Sequence, residues 1–237
     1  MSELFKNFND IDLNYIYTDK HIHSKLTDGK STILQIVKKS KEIGLTQIAI
    51  TDHIRSDSKY FSAYCRRLRM ISKISKFNIL VGFETKVIDF LGNIDIRRSF
   101  LKKAKIKIVS VHRFPIGRRF YDPAQFAKKI CQEIELELAI AAIKKGSFNI
   151  LGHPGGMSLC TYNEFPSNFF VELILSCKRE GVAFELSGKY HMPVLDTLIV
   201  LLKKYNPLVS FGSDAHSAEE VGSFVDVFKK RIISGKD

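Results

Sequence analysis

The chain has 237 residues, of which 45% are apolar, and a formal net charge of +12 from 37 basic and 25 acidic residues. This length suits one large α/β domain or two small ones. No apolar run approaches the roughly 20 residues of a membrane-spanning helix, and the N-terminus lacks the charged-then-apolar order of a signal peptide. We therefore predict a cytoplasmic protein with no membrane partner. The four cysteines lack C-x-x-C spacing, which predicts reduced, mostly interior thiols.

Short apolar runs alternate with amphipathic segments along the chain. Seven runs are predicted as strands: Tyr15–Thr18, Gln47–Thr51, Ile79–Phe83, Ile106–Val111, Phe148–Leu151, Val182–Leu186 and Leu208–Phe211. Six helices are predicted between and after them: Thr32–Ile43, Phe61–Ser75, Ala124–Lys145, Ser167–Glu180, Pro193–Lys204 and Ala218–Ile233. This alternation is typical of parallel βαβ units. No linker rich in Pro, Gly or Ser divides it, so we predict one domain over residues 1–237.

All seven histidines lie where an apolar, strand-like run ends. They are His21, His23, His53, His112, His153, His191 and His216. Parallel α/β barrels gather functional side chains at the carboxyl ends of their strands. An open sheet binds its ligand at one switch point, to which few strands contribute. Here a histidine lies at or just after the end of nearly every predicted strand, and this distribution favours a barrel.

Imidazoles and carboxylates at these strand ends have the spacing of metal ligands. His21 and His23 are two residues apart in an extended segment, so they point the same way and can hold one ion. Asp214 and His216 repeat this spacing. Glu84 ends a buried strand, where a carboxylate is costly unless it is paired or coordinating. At roughly three protein ligands per catalytic metal, the set suits two or three divalent ions. The predicted ligands are His21, His23, Asp28, His53, Glu84, His112, His153, Asp214 and His216.

The motifs H-x-H-S-x-x-x-D-G, T-D-H, G-x-E, S-V-H, G-H-P and G-S-D-A-H follow one another in this order. Together they resemble the PHP (polymerase and histidinol phosphatase) superfamily from about Tyr15 to Gly222. The resemblance implies a single PHP domain with a distorted (β/α)7 barrel of the TIM-like kind and a trinuclear site for zinc, manganese or iron. It assigns one ion to His21, His23, Glu84 and Asp214, a second to Glu84, His112 and His153, and a third to Asp28, His53 and His216.

Such a site suits the hydrolysis of phosphate esters. Neighbouring metal ions can clamp the attacking and leaving oxygens and lower the pKa of a bound water to about 7. The predicted reaction is therefore attack of a metal-bound hydroxide on a small, anionic, phosphorylated metabolite. The positive charge of three divalent ions exceeds the negative charge of three carboxylates and a bridging hydroxide. This excess positive charge favours binding of a phosphomonoester dianion. Glu84 and Asp214 are expected to be catalytic through the metals.

Side chains beside the ligands are expected to hold the substrate. Arginine provides bidentate contacts to phosphate, which makes the arginines that follow ligands good candidates. The one histidine outside the metal pattern, His191, is expected to be catalytic by protonating the leaving alkoxide, or to hold substrate. The predicted substrate-binding residues are Arg55, Arg113, Arg118, Lys189 and Glu185.

One interruption of the βαβ pattern lies just after Glu84. Residues Val87–Ile96 form two short alternating runs around Leu91-Gly-Asn93, which is typical of a hairpin. From its location next to the proposed site, we expect this hairpin to act as a lid.

Two other functions stay open. Amidohydrolases also use H-x-H after the first strand and Asp near the last, but Glu84 stands where many of them have a bridging lysine. The charge of +12 favours a PHP-type nuclease, phosphodiesterase or nucleic-acid-associated module. Against this, the sequence has no continuous basic stripe and no RNP-type aromatic motif. The identity of the substrate, the physiological metals and the oligomeric state also stay open.

Overall fold

The structure, a computed structural model, describes residues 4–117 and 119–233. Ten strands lie within these residues, eight of them in one central sheet and two in a separate small hairpin. In chain order they are Lys6–Asn7 (β1), Thr18–Ile22 (β2), Gln47–Ile50 (β3), Asn78–Lys86 (β4), Ile106–Ser110 (β5), Phe114–Ile116 (β6), Arg119–Tyr121 (β7), Ile150–Leu151 (β8), Ala183–Ser187 (β9) and Leu208–Gly212 (β10).

The central sheet has the order β1-β10-β9-β8-β5-β4-β3-β2, and only the β1–β10 pair is antiparallel. Seven strands therefore run parallel, as predicted. A single parallel bridge joins Ile22, at the end of β2, to Ala215, just beyond β10. The sheet thus curves until its first and last parallel strands meet at their carboxyl ends. This curvature brings loops from all parts of the chain to one end of the sheet.

Helices connect the parallel strands and cover the outside of the sheet. In the described residues the α-helices are Leu13–Ile16 (α1), Ile33–Glu42 (α2), Phe61–Ser75 (α3), Arg98–Leu101 (α4), Lys128–Lys145 (α5), Gly156–Tyr162 (α6), Ser167–Glu180 (α7), Leu195–Tyr205 (α8) and Val225–Phe228 (α9). Short 3-10 turns precede several of them, and a π-helical segment, Lys229–Ile233, follows α9.

Local sequence explains where these helices begin and end. The hydroxyl of Thr32 accepts from the backbone N–H of Gln35, and the Gln35 side chain accepts from the N–H of Thr32, so a capping box starts α2. The apolar residues of α2, including Ile33 and Ile36, then face the core. At the other end of a helix, Gly181 stops α7 in a left-handed conformation with φ of 66°.

The first predicted strand was misplaced. Tyr15 and Ile16 lie in α1, whose first turn is capped because the Asp12 carboxylate accepts from the N–H of Tyr15 at 2.8 Å. The strand itself begins at Thr18 and ends at Ile22, and all five of its residues are buried. It contains Asp19, Lys20 and His21, so neither an apolar run nor a polar alternation marks it in the sequence.

Several further elements differ from the predictions: β1 and α4 were not predicted, and α5 begins at Lys128 instead of Ala124. The helix α6 and the small hairpin of β6 and β7 were not predicted, because each is short and lies in a segment read as loop. The predicted helix Ala218–Ile233 is divided into a 3-10 turn, α9 and a π-helical segment.

Two clusters of buried apolar side chains lie on opposite faces of the sheet. The smaller one contains Ile108, Ile150 and Ala183, whose strand neighbours point the other way into the larger cluster. The larger one contains residues from Phe8 to Ile232. The single domain over residues 1–237 stays a prediction. Within the described ranges, no helix combines the length and apolar character needed to cross a membrane.

Candidate metal centre

β2 brings two imidazoles to the carboxyl end of the sheet. His21 lies in the strand and His23 directly after it, and their Nε2 atoms are 3.1 Å apart. Both side chains are buried. The backbone N–H of His23 donates to the carbonyl of Ala215 at 2.8 Å, which fixes this imidazole against the last strand. The spacing of two residues therefore directs both rings to one point.

Glu84 lies at the centre of the histidines. Its Oε1 is 3.2 Å from Nε2 of His112 and 3.3 Å from Nε2 of His153, while its Oε2 is 3.0 Å from Nδ1 of His53. Burial by itself would raise the pKa of this carboxyl. The imidazoles of His112 and His21, with hydrogen bonds from the rings, hold the pKa of Glu84 well below its usual range. Glu84 is thus a buried carboxylate whose two oxygens face different sides of the cluster.

Asp214 completes the buried side of the cluster just beyond β10. Its Oδ1 is 3.1 Å from Nε2 of His23, and its Oδ2 is 2.9 Å from Nζ of Lys189. Burial opposes ionisation, but the facing imidazoles of His21 and His23 keep the pKa of Asp214 well below its usual range. Its backbone has φ of 51°, a left-handed conformation that non-glycine residues seldom adopt. The surrounding contacts therefore hold this ligand in a strained position.

Asp28 and three partly exposed imidazoles form the open side of the cluster. Oδ2 of Asp28 is 3.2 Å from Nε2 of His53 and 3.3 Å from Nε2 of His216. The side chain of Asp28 is 45% exposed, and those of His53, His112 and His216 are 24–27% exposed. Those of His21, His23, Glu84 and His153 are at most 1% exposed. Among these residues, the solvent-accessible ones are therefore Asp28, His53, His112 and His216.

Two buried carboxylates support the ligands from behind. Glu185, on β9, accepts from Nδ1 of His21 at 2.9 Å and from the backbone N–H of His153 at 2.6 Å. Asp19, on β2, accepts from the hydroxyl and the N–H of Ser213, next to the ligand Asp214. Such outer carboxylates fix the tautomer and orientation of ligands in metal sites.

The donor atoms fit divalent cations. Because the Nδ1–H of His21 donates to Glu185, its Nε2 presents a lone pair toward His23 and Glu84. Among the described residues, Nδ1 of His23 and Nδ1 of His153 are buried and have no hydrogen-bond partner. Imidazole lone pairs and carboxylate oxygens thus converge, and there are too few N–H protons to pair all of them in hydrogen bonds. A set of imidazoles and carboxylates of this kind suits zinc, iron or manganese.

All nine predicted ligands lie in this cluster. Four groups have donor atoms that all lie within 4.8 Å of one another: His21 with His23 and Asp214; Glu84 with His112 and His153; His23 with His53 and Glu84; and His23 with Asp28 and His216. The group of Glu84, His112 and His153 coincides with one ligand set that the family resemblance implies, and the first group contains another of these sets without Glu84. Around Asp28, the structure groups His216 with His23 as well.

The predicted substrate-binding cations differ in their surroundings. Arg55 Nη1 donates to the carbonyl of Glu84 at 3.2 Å, and its Nη2 is 3.3 Å from Nδ1 of His53, so it also braces the site. Lys189 pairs with Asp214 and is 45% exposed. Arg113 is exposed beside His112. The remaining predicted contact, Arg118, lies outside the described residues.

The geometry is at odds with the roles expected for His191 and Glu185. His191 is fully buried, its Nδ1 accepts from the N–H of Ser187 at 2.9 Å, and its Nε2 lies 2.9 Å from the carbonyl of Pro154. Burial lowers the pKa of His191 to about 4. Both nitrogens are thus engaged with backbone, which leaves none for a substrate. Glu185 is also fully buried, and its oxygens bind His21 and His153. Both side chains are engaged within the protein, which does not support the predicted roles in substrate contact or proton donation.

The segment Val87–Ile96 doubles back through a bridge between Val87 and Ile94, as predicted. Its tip lies on the helix layer, however. Gly92 packs against the backbone of Ala141 in α5, and Phe90 and Leu91 line a groove of about 570 Å³ with residues of α5. None of the nine predicted ligands lines that groove, so this packing does not support the lid role.

One aromatic residue of the site was missed. The ring of Tyr190 lies 4.6 Å from that of His153, centroid to centroid. Burial, together with the nearby carboxylates of Asp214 and Glu84, raises its pKa, so the phenol stays protonated. Its signal in the sequence is its place in K-Y-H, between the predicted site residues Lys189 and His191.

Comparisons with known proteins agree with this architecture. The PHP domain family model matches residues 19–187, and a model named PHP-associated matches residues 199–237. The chain therefore belongs to the PHP domain family. A probable phosphatase of Thermoanaerobacter sp. (strain X514) is 26% identical over 222 residues, which cover 89% of this chain and 83% of that protein. A probable phosphatase of Vibrio parahaemolyticus is 27% identical over 217 residues, covering 86% and 79%.

Two solved structures share the fold. The histidinol phosphate phosphatase of Lactococcus lactis, complexed with zinc, L-histidinol and phosphate, superposes with a TM-score of 0.67 at 17% identity and covers 92% of both chains. A putative histidinol phosphatase of Listeria monocytogenes gives a TM-score of 0.71 at 16% identity, covering 89% of this chain and 99% of the other. The predicted TIM-like α/β class is thus confirmed.

Proposed function

We propose that this PHP-family chain is a metal-dependent phosphoesterase that hydrolyses a phosphomonoester of a small metabolite. The observation that carries the proposal is the environment of Glu84, whose carboxylate is within 3.3 Å of imidazoles from three different loops. Together with Asp28 and Asp214 these groups supply ligands for more than one ion. Two of the relatives are named probable phosphatases, and one structural neighbour is complexed with zinc and phosphate, which supports the same chemistry.

The open side of the cluster is where a substrate would enter. Divalent ions bound there would polarise a phosphoryl oxygen and activate a water. Asp28, His53 and His216 hold donor atoms toward solvent, while Glu84 and Asp214 on the buried side stay ionised because the facing imidazoles lower their pKa values. Arg55 and Arg113 stand beside this opening and can pair with phosphate oxygens. The chain thus presents one face for a phosphate group and keeps the other closed to water.

The preference for a monoester rests on charge. A trinuclear set of divalent ions would outweigh Asp28, Glu84 and Asp214, and the cations Arg55 and Arg113 add to the excess. A phosphomonoester carries two negative charges near neutral pH, whereas a diester carries one. Electrostatic stabilisation of a dianion in a partly dehydrated site is correspondingly larger.

The proposal is tested by phosphate release from metal-reconstituted protein. Zinc, manganese, iron and cobalt are loaded separately, and a panel of monoesters is compared with a diester and a cyclic phosphate. His23→Ala and Asp214→Ala should each abolish activity and reduce bound metal, while the exposed control Asp196→Ala should resemble wild type. Activity that survives both site variants would overturn the site. Cleavage of the diester without phosphate release from any monoester would overturn the monoester preference.

A further inference from the structure

A groove of about 340 Å³ lies between the end of β4, two residues beyond Glu84, and the β6–β7 hairpin, which begins two residues beyond His112. We call it the basic groove. Its polar lining comes from Lys86, Asp95 and Arg119, and its apolar lining includes Phe120 and Pro115. A space of this size accommodates a small organic group.

The basic groove adjoins the proposed ligands. Lys86 follows Glu84 by two residues on β4, so the two side chains leave the strand on the same face. The hairpin that forms the opposite wall begins at Phe114, two residues after His112. Thr85 links the two regions, because its hydroxyl donates to the carbonyl of Asp95 at 2.7 Å and lies 3.5 Å from Nη1 of Arg55. A substrate with its phosphate at the cluster would therefore extend its leaving group toward the groove.

The charges of the groove are not balanced by the protein. Nζ of Lys86 lies 4.2 Å from the centre of the Phe120 ring. Within residues 4–117 and 119–233, no carboxylate lies within 4 Å of the charged atoms of Lys86, Arg113 or Arg119. The one carboxylate in the lining, Asp95, uses Oδ1 to accept from both the N–H and the hydroxyl of Ser56. Two cations, Lys86 and Arg119, thus line the space together with a single, partly engaged carboxylate.

We infer that the basic groove binds a second anionic group, a carboxylate or a phosphate, carried by the leaving group of the substrate. This inference rests on the proposed function, since it concerns the same site. Lys86 and Arg119 pair with the anion, and Phe120 keeps the ammonium of Lys86 in place over its ring. A cationic leaving group, such as the amine of the L-histidinol bound by the Lactococcus lactis neighbour, would meet repulsion here.

The test compares phosphomonoesters that differ in the charge of the leaving group. Phosphoethanolamine is cationic, glycerol 3-phosphate neutral and 3-phosphoglycerate a carboxylate. A comparison of kcat/KM for fructose 1,6-bisphosphate with that for fructose 6-phosphate tests the effect of a second phosphate on the substrate. We expect kcat/KM to rise from the cationic to the anionic compounds by about tenfold or more, as charge-assisted contacts allow. The result with 3-phosphoglycerate reports recognition of a carboxylate, and the result with fructose 1,6-bisphosphate reports recognition of a second phosphate.

Variants assign the preference to the groove. Lys86→Gln and, independently, Arg119→Gln should lower the ratio of kcat/KM for 3-phosphoglycerate over glycerol 3-phosphate about tenfold. The exposed control Lys129→Gln on α5 should keep the wild-type ratio. A preference for the neutral or cationic ester, or a ratio unchanged in both groove variants, would overturn the inference and leave the phosphoesterase proposal standing. Absence of phosphate release from every ester would instead overturn the proposed function.

Discussion

Two histidines at strand ends have opposite environments in this structure. His53 keeps 24% of its side chain exposed, and its nitrogens face Asp28 and Glu84. His191 is fully buried, and its nitrogens face two backbone groups. The same residue type, at equivalent places in the βα pattern, thus serves as a proposed ligand in one case and as a fixed structural element in the other. What separates them is the partner that each ring nitrogen meets.

The position of His191 makes a prediction about pH. Burial lowers its pKa to about 4, whereas the unfolded chain holds an imidazole near its ordinary value of about 6.5. Between these values the unfolded state binds more protons, so the free energy of unfolding should fall as the pH falls from about 6.5 toward 4. Urea unfolding of chelator-treated protein at several pH values measures this.

The variant His191→Gln isolates the contribution of this one imidazole. It should be less stable than wild type at pH 7.5, and its stability should decline less steeply on acidification. If the free energy of unfolding depended on pH in the same way for the variant and wild type, the lowered pKa would not belong to His191. The pH profile of kcat should keep its shape in the variant; loss of its basic limb would instead restore the role of proton donor.

At the scale of elements, α6 shows how a short helix is held beside the site. Glu135, buried in α5, accepts from the N–H of Met157 at 3.0 Å and from the N–H and hydroxyl of Ser158 at 2.8 and 2.6 Å. It therefore caps the first turn of α6 from a neighbouring helix. That turn begins at Gly156, the last residue of G-H-P-G-G, so the cap also positions the loop that carries His153.

Removing this cap should destabilise the fold. Glu135→Ala leaves the N–H groups of Met157 and Ser158 without acceptors in a buried place, and we expect a loss of about 2–4 kcal/mol of unfolding free energy. The matched control is Glu133→Ala on the same helix. Its exposed pair with Lys129, at 3.9 Å, should be worth less than about 0.5 kcal/mol. Denaturant unfolding compares the two, and equal losses would contradict the capping role.

The predictions of helices and strands succeeded where apolar residues recur regularly over a long segment. Helices α3 and α7 were placed with the bounds that the structure has, because each has a sustained apolar face. β2 was displaced, because four of its five residues are polar and buried, and only Ile22 is an apolar core residue. Asp19, for example, is enclosed by hydrogen bonds from Ser213 and Gly222, which come from the far end of the chain.

At the scale of the whole molecule, the predicted metal ligands come from both ends of the chain. His21 lies in β2 and His23 directly follows it, and Asp214 and His216 follow β10 near the C-terminus. Ions shared among these ligands would act as cross-links between distant segments and bind only the folded state. Stability should therefore depend on metal.

Metal removal tests this dependence. Stripping the protein with a chelator should lower Tm by about 10 °C, the shift expected when an occupied site contributes roughly 3–4 kcal/mol. Adding back zinc or manganese should restore it. In Glu84→Ala, which loses the shared carboxylate, the chelator should change Tm little. Equal Tm values for stripped and metal-loaded wild type would show that no such cross-link exists.

The sequence by itself determined the parallel α/β class, the count of seven parallel strands and the set of side chains that gather at one end of the sheet. These follow from patterns of two to four residues and from the rule that parallel strands present their carboxyl ends together. Tertiary structure alone decided the roles of Glu185 and His191 and the direction of the 87–96 segment. Each of these depends on which atoms from remote parts of the chain fill the space around a side chain, and no local pattern encodes that.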